Sequence, residues 1–424
     1  MTMFRRGLVL LVGVWLLSGA SLYGQVNAGR AAPKPVAPQR LAALLKGRSE
    51  ERRAEALAMI DAAAIQQSVV ADALKESVDR DLRTKHVSLL TAQSVRCLAQ
   101  SSRDEDIQFV VKLTETPDVN LAFAAAASLA ERKDPQLLPS IVSLAKRKEF
   151  TQRFGFRRCL VDAVAQVPDK AAVAFLIETS SKFDGQLRFE TVQHLARLTG
   201  QNFGGHSDQW AAWWKDQSGN FQVSAARPST AIIPDSRPVA RIPWPEPLPE
   251  FFGVPVYAKR VVFVIDRSGS MRSSVDGVTR LEEAVKQLEK AVDALDRYAY
   301  FNVFAYNTDV LPFMTQLVQA EDSNKRASRN FAYRLTPEKK TACYDALYAG
   351  LMADANLEAM YFLSDGEPTA GRIVDMPTIV NSITAQNALQ RTSIYTLGID
   401  ARGAHEEFLR ELARRNYGQF VMVR

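Results

Sequence analysis

The stretch that most constrains the fold is a short apolar run at residues 261–265, which ends at a carboxylate. A continuous run rich in β-branched residues is typical of a strand buried on both faces, as in parallel sheets. Asp266, Ser268 and Ser270 follow it, so hard oxygen donors lie at the carboxyl end of a central strand. Open α/β sheets bind ligands at this end, and such donors favour Mg²⁺ or Mn²⁺ over Zn²⁺.

The spacing of Asp266, Ser268 and Ser270 resembles the metal-ion-dependent adhesion site of von Willebrand factor A (VWA) domains. In that family, a Thr from a second loop and an Asp from a third loop complete the site. Thr341 and Asp365 fill these positions here, in the same order and next to comparable predicted elements. The resemblance covers the chain from about residue 251 onward and implies Mg²⁺, or alternatively Mn²⁺ or Ca²⁺, as the bound cation.

The same resemblance implies a binding role. In the family, an open coordination position on the cation accepts a carboxylate from a protein partner, so we expect a partner that presents Asp or Glu and no enzymatic activity. Gly269, Glu367 and Thr369 lie beside the predicted ligands and are expected to orient them. Because the sequence ends at Arg424 after its last predicted strand, we expect a constitutive site without the mobile terminal helix of many adhesion domains.

Strands and helices alternate through the predicted domain at residues 251–424. This alternation predicts a doubly wound, mostly parallel α/β sheet with helices on both faces. Residues 251–257 are expected to form an edge segment of that sheet. The other predicted strands are at 300–306, 360–364, 393–399 and 419–423, and the predicted helices are at 280–295, 325–335, 344–353, 376–389 and 405–415.

Residues 40–217 are almost entirely helical in pattern. Helices that begin near Asp104, Asp134 and Asp169 are each followed by a second amphipathic helix, and this second type recurs at about 33 residues. The pattern predicts an all-α solenoid that resembles HEAT repeats, with a non-repetitive helical domain as the alternative. The last helix carries three tryptophans on one face: Trp210, Trp213 and Trp214. These rings either seal the array or form an exposed docking patch.

The first 28 residues have the pattern of a secretory signal peptide, with an uncleaved anchor as the alternative. Their apolar run is too short to span a bilayer comfortably, and no later segment reaches transmembrane length. We therefore expect an exported protein, periplasmic or extracellular. Residues 29–39 form a Pro/Ala spacer predicted to be disordered, and the Pro-rich residues 218–250 predict a stiff linker that holds two domains apart.

Composition excludes few functions. The net charge of +6 over 424 residues is mildly basic, and no Lys/Arg block is present, so we expect no nucleic-acid partner. The three cysteines, Cys97, Cys159 and Cys343, form neither a disulfide framework nor a zinc motif. Free thiols are expected, with a single Cys97–Cys159 bridge as the alternative.

Two other functions stay open at this point. In the first, the helical repeats recognise the partner, and the metal-site domain is a passive part of a scaffold. In the second, the metal assists hydrolysis, which requires a nearby base, and His405 is the one histidine of the domain. Asp309 and Asp400 lie near predicted strand ends and are interpreted as turn residues.

Overall fold

The structure is a computed structural model that describes residues 36–223 and 242–423. The chain divides into two compact units, one ending at Lys146 and one beginning at Arg147. This boundary falls inside the range predicted as a single helical domain. The predicted signal peptide, most of the spacer and the middle of the Pro-rich segment lie outside the described residues.

The first unit is helical throughout its described part. Its helices are α1 (Pro38–Lys46), α2 (Glu50–Ala58), α3 (Ser68–Arg83), α4 (Leu89–Ala99), α5 (Asp104–Leu113), α6 (Val119–Ala130) and α7 (Leu138–Val142). Side chains cap α2 and α6, since Ser49 accepts from the N–H of Arg52 and Asp118 from that of Leu121. Ser88 and Thr91 form a capping box at the start of α4. The helical character is as predicted, while the solenoid and its resemblance to HEAT repeats stay a prediction.

A buried ion pair ties three helices of this unit together. Arg53 on α2 lies 2.8 Å from Asp81 on α3, and Thr91 on α4 donates to the same carboxylate at 2.5 Å. Both charged side chains are only 5% exposed. Because a buried charge is tolerated only when it is paired, this cluster is best explained as structural.

The second unit begins with helices and continues into a sheet. Its helices are α8 (Lys148–Gln152), α9 (Phe154–Gln166), α10 (Lys170–Ser180), α11 (Gly185–Thr199), α12 (Ser207–Gln217), α13 (Arg280–Asp293), α14 (Asp322–Ala332), α15 (Cys343–Leu351), α16 (Met376–Gln390) and α17 (Gly403–Arg415). Its strands are β1 (Glu250–Phe251), β2 (Val254–Pro255), β3 (Arg260–Asp266), β4 (Ser274–Val275), β5 (Val278–Thr279), β6 (Tyr300–Tyr306), β7 (Val310–Pro312), β8 (Val318–Gln319), β9 (Ala359–Ser364), β10 (Ser393–Ile399) and β11 (Phe420–Val423).

Seven strands form the main sheet, in the order β11-β10-β9-β3-β6-β7, with β8 also paired to β6. The five strands from β11 to β6 are parallel, and β7 and β8 pair with β6 antiparallel. The predicted α/β architecture is therefore confirmed. Parallel pairing brings the carboxyl ends of β3, β6 and β9 to one edge of the sheet, which is where the predicted metal ligands follow.

Alternate residues of β3 enter two separate cores. Phe263 packs with side chains of α13 and α14 on one face, in a cluster that includes Leu281 and Leu288. Val262 and Val264 pack on the other face with side chains of α15, α16 and α17. Both faces are covered, which explains why the strand is a continuous apolar run rather than an alternating one.

The sequence predicts residues 251–257 as an edge segment of the main sheet, but in the structure they do not pair with that sheet. β1 and β2 pair only with each other, through Glu250 with Pro255 and Phe251 with Val254. Gly253, with φ of +75°, forms the turn between them. The side chains of Phe251 and Val254 still enter the same core as Phe263. The apolar pattern here therefore indicates burial in the core and not pairing with the main sheet.

Buried polar contacts join α9 and α11 to the amino ends of β9 and β10. Arg158 on α9 donates to Glu190 of α11 at 2.6 Å and to the hydroxyl of Ser393 at 3.1 Å. The N–H of Gln186 donates to the Glu358 carboxylate at 3.1 Å. These helices and the sheet therefore form one packed unit.

The described end of the Pro-rich segment belongs to the same packed unit. The carbonyl of Pro243 accepts from the N–H of Gly205 at 2.8 Å. The ring of Trp244 lies 5.0 Å from that of Tyr257 and under the guanidinium of Arg188 at 5.4 Å. This packing differs from the separation expected of a stiff linker, because Trp244 contacts both the helices and the residues that precede the sheet.

The three tryptophans of α12 divide between interior and surface. Trp210 is fully buried, and its indole N–H donates to the carbonyl of Gly204 at 2.9 Å. Trp213 and Trp214 are half-buried, and both pack edge-on against Phe221. Trp210 is therefore a core residue, and the other two rings line the surface beside it.

All three cysteines are free thiols, as expected from the sequence. Burial raises the pKa of Cys97 to about 11. Within residues 36–223 and 242–423, no helix is both long enough and apolar enough to cross a membrane.

The buried Glu358 carboxyl predicts a pH-dependent stability. Burial raises its pKa to about 7, although the N–H groups of Lys259 and Gln186 partly oppose this by donating to it. Since the folded protein holds this proton more tightly than the unfolded chain, the contribution is complete below the ordinary pKa and is lost as pH rises towards 7. The contribution is at most about 3 kcal/mol.

We expect Glu358→Gln to flatten the decline in unfolding free energy between pH 5 and pH 8, because the amide still accepts from both N–H groups but carries no charge. Urea unfolding across this range would measure the difference between the variant and the wild type. Glu178→Gln is the matched control, because Glu178 is 69% exposed in a surface pair with Lys182. Identical pH profiles for wild type and Glu358→Gln would contradict the prediction.

Candidate metal centre

Asp266 is the last residue of β3 and is fully buried. One oxygen of its carboxylate accepts from the N–H of Ser268 at 2.8 Å. The other accepts from the hydroxyls of Tyr306 at 3.1 Å and Ser364 at 3.4 Å, at the ends of the neighbouring strands β6 and β9. These contacts hold the carboxylate in place at the carboxyl edge of the sheet.

The turn after β3 brings the two predicted serine ligands to the predicted aspartate of the third loop. A short 3₁₀ helix, Gly269–Arg272, follows Ser268 and places the hydroxyls of Ser268 and Ser270 3.0 Å apart. Ser270 donates to the Asp365 carboxylate at 2.6 Å, and Ser268 donates to the same oxygen at 3.4 Å. Four of the five predicted ligands are therefore joined through hydrogen bonds.

The fifth predicted ligand is Thr341, and hydrogen bonds join its loop to the two loops that carry the other four. The N–H of Gly269 donates to the carbonyl of Lys339 at 3.2 Å. Thr341 accepts from the N–H of Thr369 at 2.9 Å, and its own N–H donates to the Thr369 hydroxyl at 3.0 Å. Thr341 is 5% exposed, and in the described chain no hydrogen bond joins its hydroxyl to the other four ligands. The three loops converge, and Thr369 orients the Thr341 backbone.

Arg280, the first residue of α13, is a site residue that the sequence reasoning missed. Its guanidinium lies 3.1 Å from the Asp365 carboxylate and 2.5 Å from that of Asp400, which follows β10. Asp400, interpreted as a turn residue, is thus also an ion-pair partner at this edge. No local sequence pattern predicts the ion pairs of Arg280 and Asp400, because they depend on how the loops converge.

The charges at the centre fit a divalent cation. Burial raises the pKa of Asp266 to about 7, and the nearby charge of Asp365 adds to this, against opposing hydrogen bonds from Ser268 and Tyr306. Asp365 is paired with Arg280, but no ion pair to Asp266 occurs within the described residues. The two buried carboxylates and the two serine hydroxyls form a donor set suited to Mg²⁺, Mn²⁺ or Ca²⁺. Arg280 balances only one of the two negative charges.

Comparison with known families agrees with this geometry. Residues 261–424 match the family model described as von Willebrand factor type A domain. This part of the chain is a VWA domain.

Among curated relatives of the VWA domain is inter-alpha-trypsin inhibitor heavy chain H3 of Mus musculus, which is 26% identical over 178 residues. The match covers 39% of this chain and 19% of the relative. This chain therefore spans about a fifth of the length of that protein.

Two solved structures are also similar to this part of the chain. A von Willebrand factor type A protein from Catenulispora acidiphila is 21% identical, with a TM-score of 0.34 over 40% of each chain. Proximal thread matrix protein 1 from the mussel byssus, with a zinc occupied MIDAS motif, is 15% identical. Its TM-score is 0.30, and the match covers 39% of this chain and 43% of the other.

Two further residues proposed from the sequence lie on the same edge of the VWA domain. Glu367 is exposed, and no hydrogen bond joins it to the predicted ligands in the described part of the chain. His405 is 4% exposed, and its Nε2 has no hydrogen-bond partner among the described residues. Burial lowers the pKa of His405, and the charges of Asp365 and Glu367 oppose this.

Proposed function

We propose that this chain is an exported, non-enzymatic binding protein whose VWA domain holds a divalent cation and receives a carboxylate from a protein partner. The proposed ligands are Asp266, Ser268, Ser270, Thr341 and Asp365. The cation is Mg²⁺, with Mn²⁺ or Ca²⁺ as substitutes. When bound, it supplies the positive charge that attracts an Asp or Glu side chain of the partner.

The observation that carries this proposal is the convergence of three loops around the buried Asp266 carboxylate, which forms no ion pair with any side chain in residues 36–223 and 242–423. Asp266 is fully buried, and its hydrogen-bond donors are Ser268, Tyr306 and Ser364. A charged carboxylate in such a place is costly unless a cation neutralises it. Ser270, in contrast, is exposed, so the edge that carries the ligands is open to solvent.

The residues around the ligands have separate proposed tasks. Tyr306 and Ser364 hold one oxygen of Asp266, which leaves its orientation fixed before any cation arrives. Thr369 holds the backbone of Thr341. Beside the site, the β4–β5 hairpin exposes Val275 and Val278, at 68% and 46%, as an apolar surface that a partner chain would cover.

We expect the protein to capture acidic peptides only in the presence of a divalent cation. The probe is a peptide array in which each sequence carries one Asp or Glu and has an Asn or Gln counterpart. Bound signal in Mg²⁺ or Mn²⁺ should disappear in EDTA, on the amide counterparts, and in the Ser268→Ala/Ser270→Ala variant, which lacks two hydroxyl ligands.

Ser273→Ala is the matched control for this experiment. Ser273 is an exposed serine that follows the same turn, and its carbonyl rather than its hydroxyl makes the hydrogen bond to Arg280. Capture by this variant should equal that of the wild type. Acidic peptides that bind equally well in EDTA, or equally well to the double serine variant, would sink the proposed function.

A further inference from the structure

Arg280 places a fixed positive charge on one of the proposed metal ligands. Its guanidinium donates to Asp365 at 3.1 Å and to Asp400 at 2.5 Å, so one side chain bridges two carboxylates. The two partners differ in environment, since the Asp365 side chain is fully buried whereas that of Asp400 is 47% exposed. Arg280 itself is 20% exposed.

The backbone of Arg280 is held independently of these contacts. Thr279 and Glu282 form a capping box at the start of α13, and the Arg280 N–H donates to the carbonyl of Ser273 at 2.9 Å. The same hydrogen bond joins the two residues that flank the β4–β5 hairpin. Only the side chain is therefore free to change partners, and it can leave Asp365 while α13 keeps its position.

The two oxygens of the Asp365 carboxylate accept hydrogen bonds from different groups. It accepts from Ser270 and Ser268 on one oxygen and from Arg280 on the other. Among the described residues, Arg280 is its one ion-pair partner. A divalent cation bound by Asp365 would bring two more positive charges close to this guanidinium, and like charges at such short range repel strongly.

We propose that Arg280 is a tethered cation that competes with the divalent cation for Asp365, and that Asp400 retains the guanidinium when Asp365 is engaged by the metal. Arg280 thereby weakens the affinity of the site for the metal, and Asp400 limits this weakening. This inference rests on the proposed metal site and adds a residue that tunes it.

Two substitutions should change metal affinity in opposite directions. Arg280→Gln removes the competitor, so we expect the Kd for Mg²⁺ and Mn²⁺ to fall about tenfold. Asp400→Asn removes the alternative partner, so the Kd should rise about threefold. In the double variant, Asp400→Asn should have little further effect, because Arg280 is no longer present to be retained. Isothermal titration calorimetry with MgCl₂ and MnCl₂ measures all four proteins.

Arg272→Gln is the matched control. Arg272 is an exposed arginine of the same turn, and its Nε donates to the carbonyl of Pro337 rather than to a ligand. If only the general positive charge of the region mattered, Arg272→Gln would lower the Kd as Arg280→Gln does. We expect less than a twofold change, because an exposed charge is screened by solvent and salt. Arg280→Lys keeps the charge and should stay close to the wild type.

The melting temperature gives a second readout. In EDTA, Arg280→Gln should melt below the wild type, since Asp365 loses its counter-ion. On addition of MgCl₂, it should gain more than the wild type does. Tighter metal binding by Arg280→Gln alone supports the inference. An unchanged Kd, or equal effects of Arg280→Gln and Arg272→Gln, overturns it while leaving the metal site intact. A wild type that binds neither Mg²⁺ nor Mn²⁺ overturns the proposed function instead.

Discussion

Asp266→Asn is expected to abolish stabilisation by divalent cations. At a free Mg²⁺ concentration of 100 times Kd, a single site adds about 2.7 kcal/mol to the unfolding free energy, and the variant should lose all of it. The reason is that Asp266 supplies a buried carboxylate, and no side chain in the described part of the chain forms an ion pair with it. Differential scanning calorimetry in EDTA and in MgCl₂ would measure the gain for each protein.

The same variant should not be destabilised in EDTA. Its amide carries no charge next to Asp365, and Tyr306 can redirect its hydroxyl to the carbonyl of Leu363, which already lies 3.2 Å away. Asp276→Asn is the control, because Asp276 is exposed in the β4–β5 turn, with a φ of +53° that Asn adopts readily. A melting temperature of Asp266→Asn that still rises with MgCl₂ would show that the cation binds elsewhere.

Arg158→Ala should lower the unfolding free energy by about 3–5 kcal/mol, the usual cost of removing one partner from a buried ion pair. The Arg158 and Glu190 side chains are 5% and 10% exposed. Burial already raises the pKa of Glu190, and the Arg158 charge opposes that rise. Arg158 also donates to the carbonyl of Arg391 and lies 4.1 Å from the ring of Tyr417. Its loss would leave the buried Glu190 charge without this cation, although Gln186 and Ser393 still donate to that carboxylate.

Chemical denaturation of three proteins would test this expectation. Lys182→Ala removes one partner of an exposed pair with Glu178 and should cost no more than about 0.5 kcal/mol. Arg158→Met/Glu190→Leu removes both buried charges, so it should recover much of the loss. An Arg158→Ala protein within 1 kcal/mol of the wild type, about the cost of an ordinary surface change, would mean that the buried ion pair contributes little to the stability of this unit.

The strands that precede the ligands could be predicted because a run of consecutive apolar residues indicates burial on both faces. Residues 261–265 of β3 are apolar at every position, and a polar turn follows the strand. Arg280 was not predictable in this way. It pairs with Asp365, which lies 85 residues further along the chain, and the first turn of a helix is a common place for a charged residue.

Glu358 and the β1–β2 hairpin illustrate the same limit. An acidic residue just before a strand is normally solvent-exposed, yet Glu358 is 6% exposed because α11 covers it. Phe251 and Val254 have the apolar character of a sheet strand, yet they pair only with each other. In both cases, the local pattern gives the polarity of the residue, and a distant element decides its surroundings.

The direction of β9 has a practical consequence. Glu358 precedes this six-residue strand and Asp365 follows it, so the two carboxylates lie at opposite poles of the sheet, about 20 Å apart. Helices α9 and α11 occupy the first pole. Substitutions at Glu358 and at the metal ligands therefore act at opposite ends of one strand, and the pH test at Glu358 leaves the ligand side chains in place.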